Sequence, residues 1–372
     1  MIGGLLAIVA GIVALVGLTG RMTTPRTWMQ TLLAALPVLA VSGIFTAAHG
    51  WNLVAVIVMA LAVVLGMLGS LIGPAVLSVG DGHRVARTWQ LLSWIVTGVV
   101  LAAGVIRWGA SLAAPIPLLN PSFLAVVLTV AAVAAAAGAG AFRGIVSTAT
   151  VIMLILFVLL VVVGVVGGRP GTLTQPLVDV GQSTGMWLQF LVVIVVGAAN
   201  PALRRIRADG GSIVPGTVIM GLISLISLVL LLSFNGGYLR LPSFGFGTVA
   251  GYAGKSAVPG AILCPLLILV VLGAAVVTLR GVLDSIGEFA PVPGSRWWSS
   301  RWAVAAAVGL VTAVLSAYWL PLERALALAA VFVVSGWIVA WRSSGDDDAE
   351  GTAERIDPVA AGRGPSSDPA VQ

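Results

Sequence analysis

Two histidines, His49 and His83, one cysteine, Cys264, and 13 acidic residues are the side chains with which this 372-residue chain could hold a metal or move a proton. Their spacing suits neither task. Two histidines build no HExxH site and no multi-histidine cage. The acidic residues Asp81, Asp179, Asp209, Asp284, Glu288 and Glu323 stand between apolar runs, and the rest fall in the C-terminal tail. None forms the aspartate pair that would hold magnesium against a phosphorylated lipid. No glycine-rich loop leads into a lysine, so there is no P-loop. The chain is therefore expected to be no enzyme, with no catalytic residue, no metal and no cofactor. Cys264 lies in an apolar run, where a thiol packs as a small hydrophobe, and alone it closes no disulfide within the chain. His49 reads as an interfacial histidine.

The chemistry that the spacing does suggest belongs to the backbone. Pro37 is followed by Ser42-Gly43-Ile44-Phe45-Thr46, and the apolar run from Thr184 to Asn200 ends in Gly197-Ala198-Ala199-Asn200-Pro201. A helix interrupted inside a membrane frees N–H and C=O groups, and paired interruptions of this kind hold substrates in transporters. Gly69 and Gly73, and likewise Gly140 and Gly144, are four residues apart, a spacing that in lipid means close helix packing.

These positions need helices to carry them, and the composition supplies helices of one kind. The chain is 59% hydrophobic and 9% charged, with a mean hydropathy of +1.11. Soluble domains carry roughly 25% charged residues. Residues Ile2 to Gly20, Thr27 to Asn52 and Gly144 to Gly168 contain no charge at all. Each run reaches the ~18–20 residues that a helix needs to cross a bilayer, and none shows the alternation of a barrel strand. The expected fold is an all-α integral membrane bundle of about eleven transmembrane helices. Charge, proline and glycine breaks place them at 2–19, 27–47, 52–79, 88–107, 121–141, 148–167, 184–200, 214–234, 257–279, 302–319 and 324–341.

The cations test that count. With the N-terminus outside, the inner loops and tail carry Arg21, Arg26, Arg84, Arg87, Arg143, Arg204, Arg205, Arg207, Arg280, Arg296, Arg301, Arg342, Arg355 and Arg363. The outer loops hold only Arg107, Arg169, Arg240, Lys255 and Arg324. Every inner loop carries a cation, and the split of fourteen against five fits the positive-inside rule. The net charge of +6 is thus orientation charge in scattered loops, and no nucleic-acid partner is expected. The first segment lacks a basic leader and a small-x-small cleavage site, so it reads as an uncleaved helix. Ten tryptophans, Trp94 and Trp108 among them, read as interface anchors. The segment from Ser343 to Gln372 is polar and free of aromatics, and it is expected to be a disordered cytoplasmic tail. The transmembrane domain then spans 1–342. One lysine among so many arginines, alanines, glycines and valines is the compositional mark of a high-GC bacterium, which makes the inner (plasma) membrane the expected location.

With these elements in order, the chain resembles the amino acid–polyamine–organocation (APC) superfamily of transporters. Ser42-Gly43-Ile44-Phe45-Thr46 is similar to the G-S-G-I-F stretch of that family's first core helix, with Val41 in place of the first glycine. Phe142-Arg143-Gly144-Ile145-Val146 through Gly164 is similar to its short inner link and fifth core helix. Asn200-Pro201, Arg204-Arg205 and Ile213-Val214-Pro215 are similar to its N-P-x-R-x-I-P link, and Thr278 to Leu283 to the end of its eighth core helix. The resemblance implies a LeuT-like 5+5 inverted repeat, repeat one over 27–167 and repeat two over 184–341, preceded by the extra helix 2–19. It implies a secondary transporter of a small polar solute, an amino acid or related amine, working by alternating access. Ser42, Gly43 and Ile44, with Val196 and Gly197, would offer backbone groups to that substrate. The other reading left open is a non-transporting scaffold or pore subunit of a larger assembly such as a secretion system. The partners expected are the small-molecule substrate and the lipid bilayer, and assembly with a second copy stays open.

Overall fold

The computed structural model of the chain describes residues 27–47, 53–76, 84–112, 120–138, 142–167, 192–233, 257–289, 296–317 and 322–353. Among them no strand occurs, and all but a few capping and turn residues are helical. The chain is all-α. In order the helices are α1 (Thr27–Ala47), α2 (Leu53–Val76), α3 (Arg84–Leu112), α4 (Pro121–Ala137), α5 (Phe142–Gly167), a short α6 over 192–198, α7 (Pro201–Ala208), α8 (Val214–Ser233), α9 (Ala257–Phe289), α10 (Arg296–Ser316) and α11 (Leu322–Ala353). The expected span 2–19 and the first half of 184–200 lie outside the described residues.

Two elements correct the sequence reading. Residues 201–208, expected as part of an inner link, form α7. The tail expected to be disordered from Ser343 is helical as far as Ala353. The costly step in helix formation is the first turn; once α11 exists, each added residue gains a hydrogen bond without a new nucleus.

Val85–Ser111 within α3 and Leu263–Glu288 within α9 are long and apolar enough to cross a membrane. They pack along each other more extensively than any other pair and form the centre of the bundle. α11 and α10 lie against α3, while α5 and α4 lie against α9. α4 also packs on α10, α1 on α8, and α2 on both α1 and α8. The widest part of the core joins Leu32, Leu36, Ile106, Ile152, Met153, Leu156 and Phe157, all at most 2% exposed.

Small residues govern the closest approaches. Gly69 and Gly73 of α2 face α6, where a Cβ would run into the Ile194 carbonyl and Ala198. This is the four-residue spacing seen in the sequence, used for backbone contact. On the opposite pair, Gly216 of α8 sits against the α1 backbone at Trp28 and Leu32.

Polar and apolar side chains are distributed in an unusual way. Ser70, Thr129, Thr150, Thr217, Ser224, Thr278 and Ser285 are buried, and each hydroxyl donates to the carbonyl one turn earlier in its own helix. Thr129 and Ser316 also share a hydrogen bond of 3.1 Å that ties α4 to α10. Outside, Phe123, Val130, Val158, Leu310, Val331 and Trp341 are each more than half exposed. Trp94 and Trp108, expected as surface anchors, are instead buried in the core at 5% and 3% exposure. Both sit in apolar clusters, Trp94 with Leu91 and Leu101 and Trp108 with Val105 and Ile106.

Candidate functional site

The centre of interest is the break between α6 and α7. α6 ends in a turn at Ala199, and Asn200 leaves the helical path (φ −72°, ψ 111°). Pro201 has no N–H to give the Gly197 carbonyl, so the helix cannot continue through it. Instead a new helix starts. Asn200 caps it, its Oδ1 accepting from the Ala202 N–H at 3.0 Å, and Pro201 takes the first helical position. The far end is closed as firmly. Gly210 adopts φ +77°, the Gly211 N–H reaches the Ile206 carbonyl at 2.8 Å and the Gly210 N–H reaches Arg207 at 3.0 Å. That pair of bonds is a Schellman cap, and it needs a residue free to take positive φ. Eight residues would not hold a helix alone. Caps at both ends do so here, together with the buried face of Pro201, Ala202, Leu203 and Ile206.

α7 is also tethered. Asn200 is 1% exposed, and its Nδ2 donates to the Ala34 carbonyl of α1 at 2.8 Å. One side chain thus caps α7 and binds it to α1. Beneath it α9 offers Gly281, where a Cβ would lie 2.8 Å from the Ala202 nitrogen.

Between α1, α5, α7 and α9 lies a cavity of about 280 Å³. Gln30 and Leu33 line it from α1, Val146 and Ser147 from α5, Ala202, Arg205 and Ile206 from α7, and Gly273, Val276, Val277 and Arg280 from α9, with Asp209 at the end of α7. Pro37 cannot donate to the carbonyl of Leu33, which loosens α1 beside this space. Ser147 is 3% exposed, and its Oγ has no hydrogen-bond partner. The oxygen has almost no accessible surface, and an unmet buried hydroxyl costs free energy.

Ion pairs gather at the same end of the bundle. Arg204 meets Glu288 at 2.8 Å, and its guanidinium lies 3.6 Å above the centre of the Trp94 ring. The cation covers the ring of a tryptophan that is otherwise buried in an apolar cluster with Leu91, Leu101 and Leu326. Arg205 pairs with Asp284 of α9 and approaches Asp209 at 3.7 Å, and Arg301 of α10 approaches Asp284 at 3.8 Å. These contacts tie α7 to α3 and α9, and α9 to α10. Asp284→Asn should remove the carboxylate that Arg205 and Arg301 share. The groups are partly solvated, so the expected loss is about 1 kcal/mol, smaller in high salt, read from thermal unfolding at two ionic strengths.

The residues expected to bind a substrate are placed as follows. Ser42, Gly43 and Ile44 lie within the helical backbone of α1, their side chains outside the described residues. A continuous helix there engages groups that an unwound stretch would offer. Val196 is buried in a cluster with Val38 of α1, and Gly197 is closed off by the Gly66 carbonyl, Ser70 and Val38. The structure therefore brings α6 against α1, but the interruption falls at Ala199-Asn200, two residues beyond the expected pair. Gln30, Ser147, Arg205 and Arg280 were not singled out from the sequence as cavity residues, although Asn200-Pro201, Arg204-Arg205 and the stretches 142–164 and 278–283 were read there as parts of a family resemblance. No protein-family model matches the chain, and no curated protein matches it at a significant level.

Proposed function

We propose that the chain is a multi-pass transporter of the bacterial inner membrane, moving a small polar solute by alternating access. Support for the membrane comes from the surface. Large apolar side chains cover the outside of α4, α5, α10 and α11, while hydroxyls turn inward and satisfy themselves on their own helices. In water this would be a costly surface; in lipid it is the expected one. The positive-inside rule then puts the arginine-rich end, with the cavity and its ion pairs, on the cytoplasmic side and the N-terminus outside.

The observation that carries the transporter reading is the exchange symmetry of the packing. Let α1 to α5 exchange with α6/α7, α8, α9, α10 and α11. The contact of α3 with α11 becomes that of α9 with α5, and α4 on α9 becomes α10 on α3. The contact of α1 with α3 becomes that of α7 with α9, while α3–α9, α4–α10 and α2–α8 map onto themselves. The glycine contacts follow the same rule: α8 on α1 at Gly216 answers α2 on α6 at Gly69 and Gly73. A twofold-related repeat of five helices would give these shared contacts, and inverted repeats of that kind place substrates at their broken helices. A scaffold has no need of a capped break beside a cavity.

Uptake of labelled small solutes into proteoliposomes tests the reading. Val276→Trp should fill the cavity from α9 and abolish uptake while leaving the melting temperature within a few degrees of wild type. Absence of uptake for every solute class, with a partner protein co-purifying stoichiometrically, would favour the scaffold.

A further inference from the structure

We infer, resting on the transporter reading, that the cavity takes a small uncharged solute with an alkyl body and an amide end, and that the side-chain amide of Gln30 pairs with that end. The charges on the wall are already committed. Arg205 pairs with Asp284 and approaches Asp209, and Arg280 is engaged within the protein. A carboxylate entering here meets a guanidinium that already faces two carboxylates, and like charges brought together cost affinity. An ammonium would have to draw Asp284 or Asp209 away from Arg205, which strips a cation of its partner. A neutral solute disturbs neither pair. Hydrogen bonding then falls to the uncharged polar side chains of the lining, which are Gln30 and Ser147. The Ser147 oxygen has almost no accessible surface, whereas Gln30 is only half-buried in the first turn of α1. Its primary amide carries both a donor and an acceptor, and a second amide presents the complementary pair. On α9, Val276 and Val277 are half-buried and give an alkyl body its apolar wall. The volume of about 280 Å³ lies just under the usual range for drug-sized ligands, which limits that body to a few carbons.

The test is a saturation-transfer NMR titration of the purified full-length protein in detergent, with empty micelles as the blank. Four probes of one length are compared: butyramide, butyrate, butylamine, and methyl propyl ketone, which has a methyl group in place of the amide nitrogen. Butyramide should bind, and butyrate and butylamine should each bind at least about tenfold more weakly. Gln30→Leu should lower the preference for butyramide over the ketone by about tenfold, as expected for the loss of a donor and an acceptor together. That ratio reports the amide contact alone, because a general change in the cavity moves both ligands. The wild-type comparison of butyramide with its charged counterparts needs no variant, so it keeps the inference open to refutation should Gln30→Leu fail to fold. Butyrate or butylamine binding as tightly as butyramide, or a ratio that Gln30→Leu leaves unchanged, overturns the inference. The two readings separate in proteoliposomes: uptake of alanine or butyrate without any butyramide binding removes the neutral amide and leaves the transporter. No binding and no uptake of any solute removes both.

Discussion

Gly216→Val should yield little monodisperse protein, and what survives purification should melt far below wild type. The reason is contact between backbones. A Cβ at this position would overlap the carbonyl oxygen of Trp28, the nitrogen of Leu32 and the hydroxyl of Thr31. Thr31 is fully buried with its hydroxyl held by Trp28 at 2.8 Å, so it has no free rotamer to retreat into. Only separation of α8 from α1 relieves the overlap. Such a shift costs about 3 kcal/mol or more in a packed interior. Gly221→Ala provides the contrast within the same helix. There the nearest atom is the Met67 sulfur at 2.5 Å, the adaptable part of an unbranched side chain that can swing aside. Its melting temperature should stay close to wild type. Equal melting of Gly216→Val and wild type in size-exclusion and circular-dichroism assays would mean that α1 and α8 do not meet as described.

The contrast between these two glycines also marks where sequence reading ends. Gly69 and Gly73 announce a contact through their spacing, and α2 does use them for α6. Gly216 stands alone behind Val214-Pro215, where it reads as the ordinary start of a helix; only the arrival of α1 makes it indispensable. The long helices were legible because lipid-length apolar runs leave few alternatives. α7 was hidden because Arg204, Arg205 and Arg207 make its eight residues look like a charged loop, although Leu203 and Ile206 share one face with Ala202. The cavity was hidden for a different reason. Gln30, Ser147, Arg205 and Arg280 come from four helices, and no local spacing relates residues separated by so much chain. What brings them together is the crossing of α1, α5 and α9 around α7, a consequence of packing that no single segment encodes.

Asn200 carries the second large effect, and a series of substitutions can divide it. Its Oδ1 caps α7 and its Nδ2 holds the Ala34 carbonyl, so the residue performs two tasks with two atoms. Asn200→Ser keeps an oxygen that can accept from the Ala202 N–H but is too short to reach α1. The helix should persist while its tether is lost, at about 1 kcal/mol in thermal unfolding. Asn200→Leu removes both and should cost about 2–3 kcal/mol, the sum of a lost cap and a lost buried hydrogen bond. Asn200→Asp keeps the cap but turns a donor into an acceptor. A buried carboxylate would then face a carbonyl oxygen with no proton between them, and this variant should be the least stable of the three unless it takes up a proton. The order Ser, Leu, Asp belongs to a side chain that bridges α1 and α7. If Asn200 were only a cap, aspartate would be its best replacement, so the position of Asp in the series decides whether the break between α6 and α7 is fastened to α1.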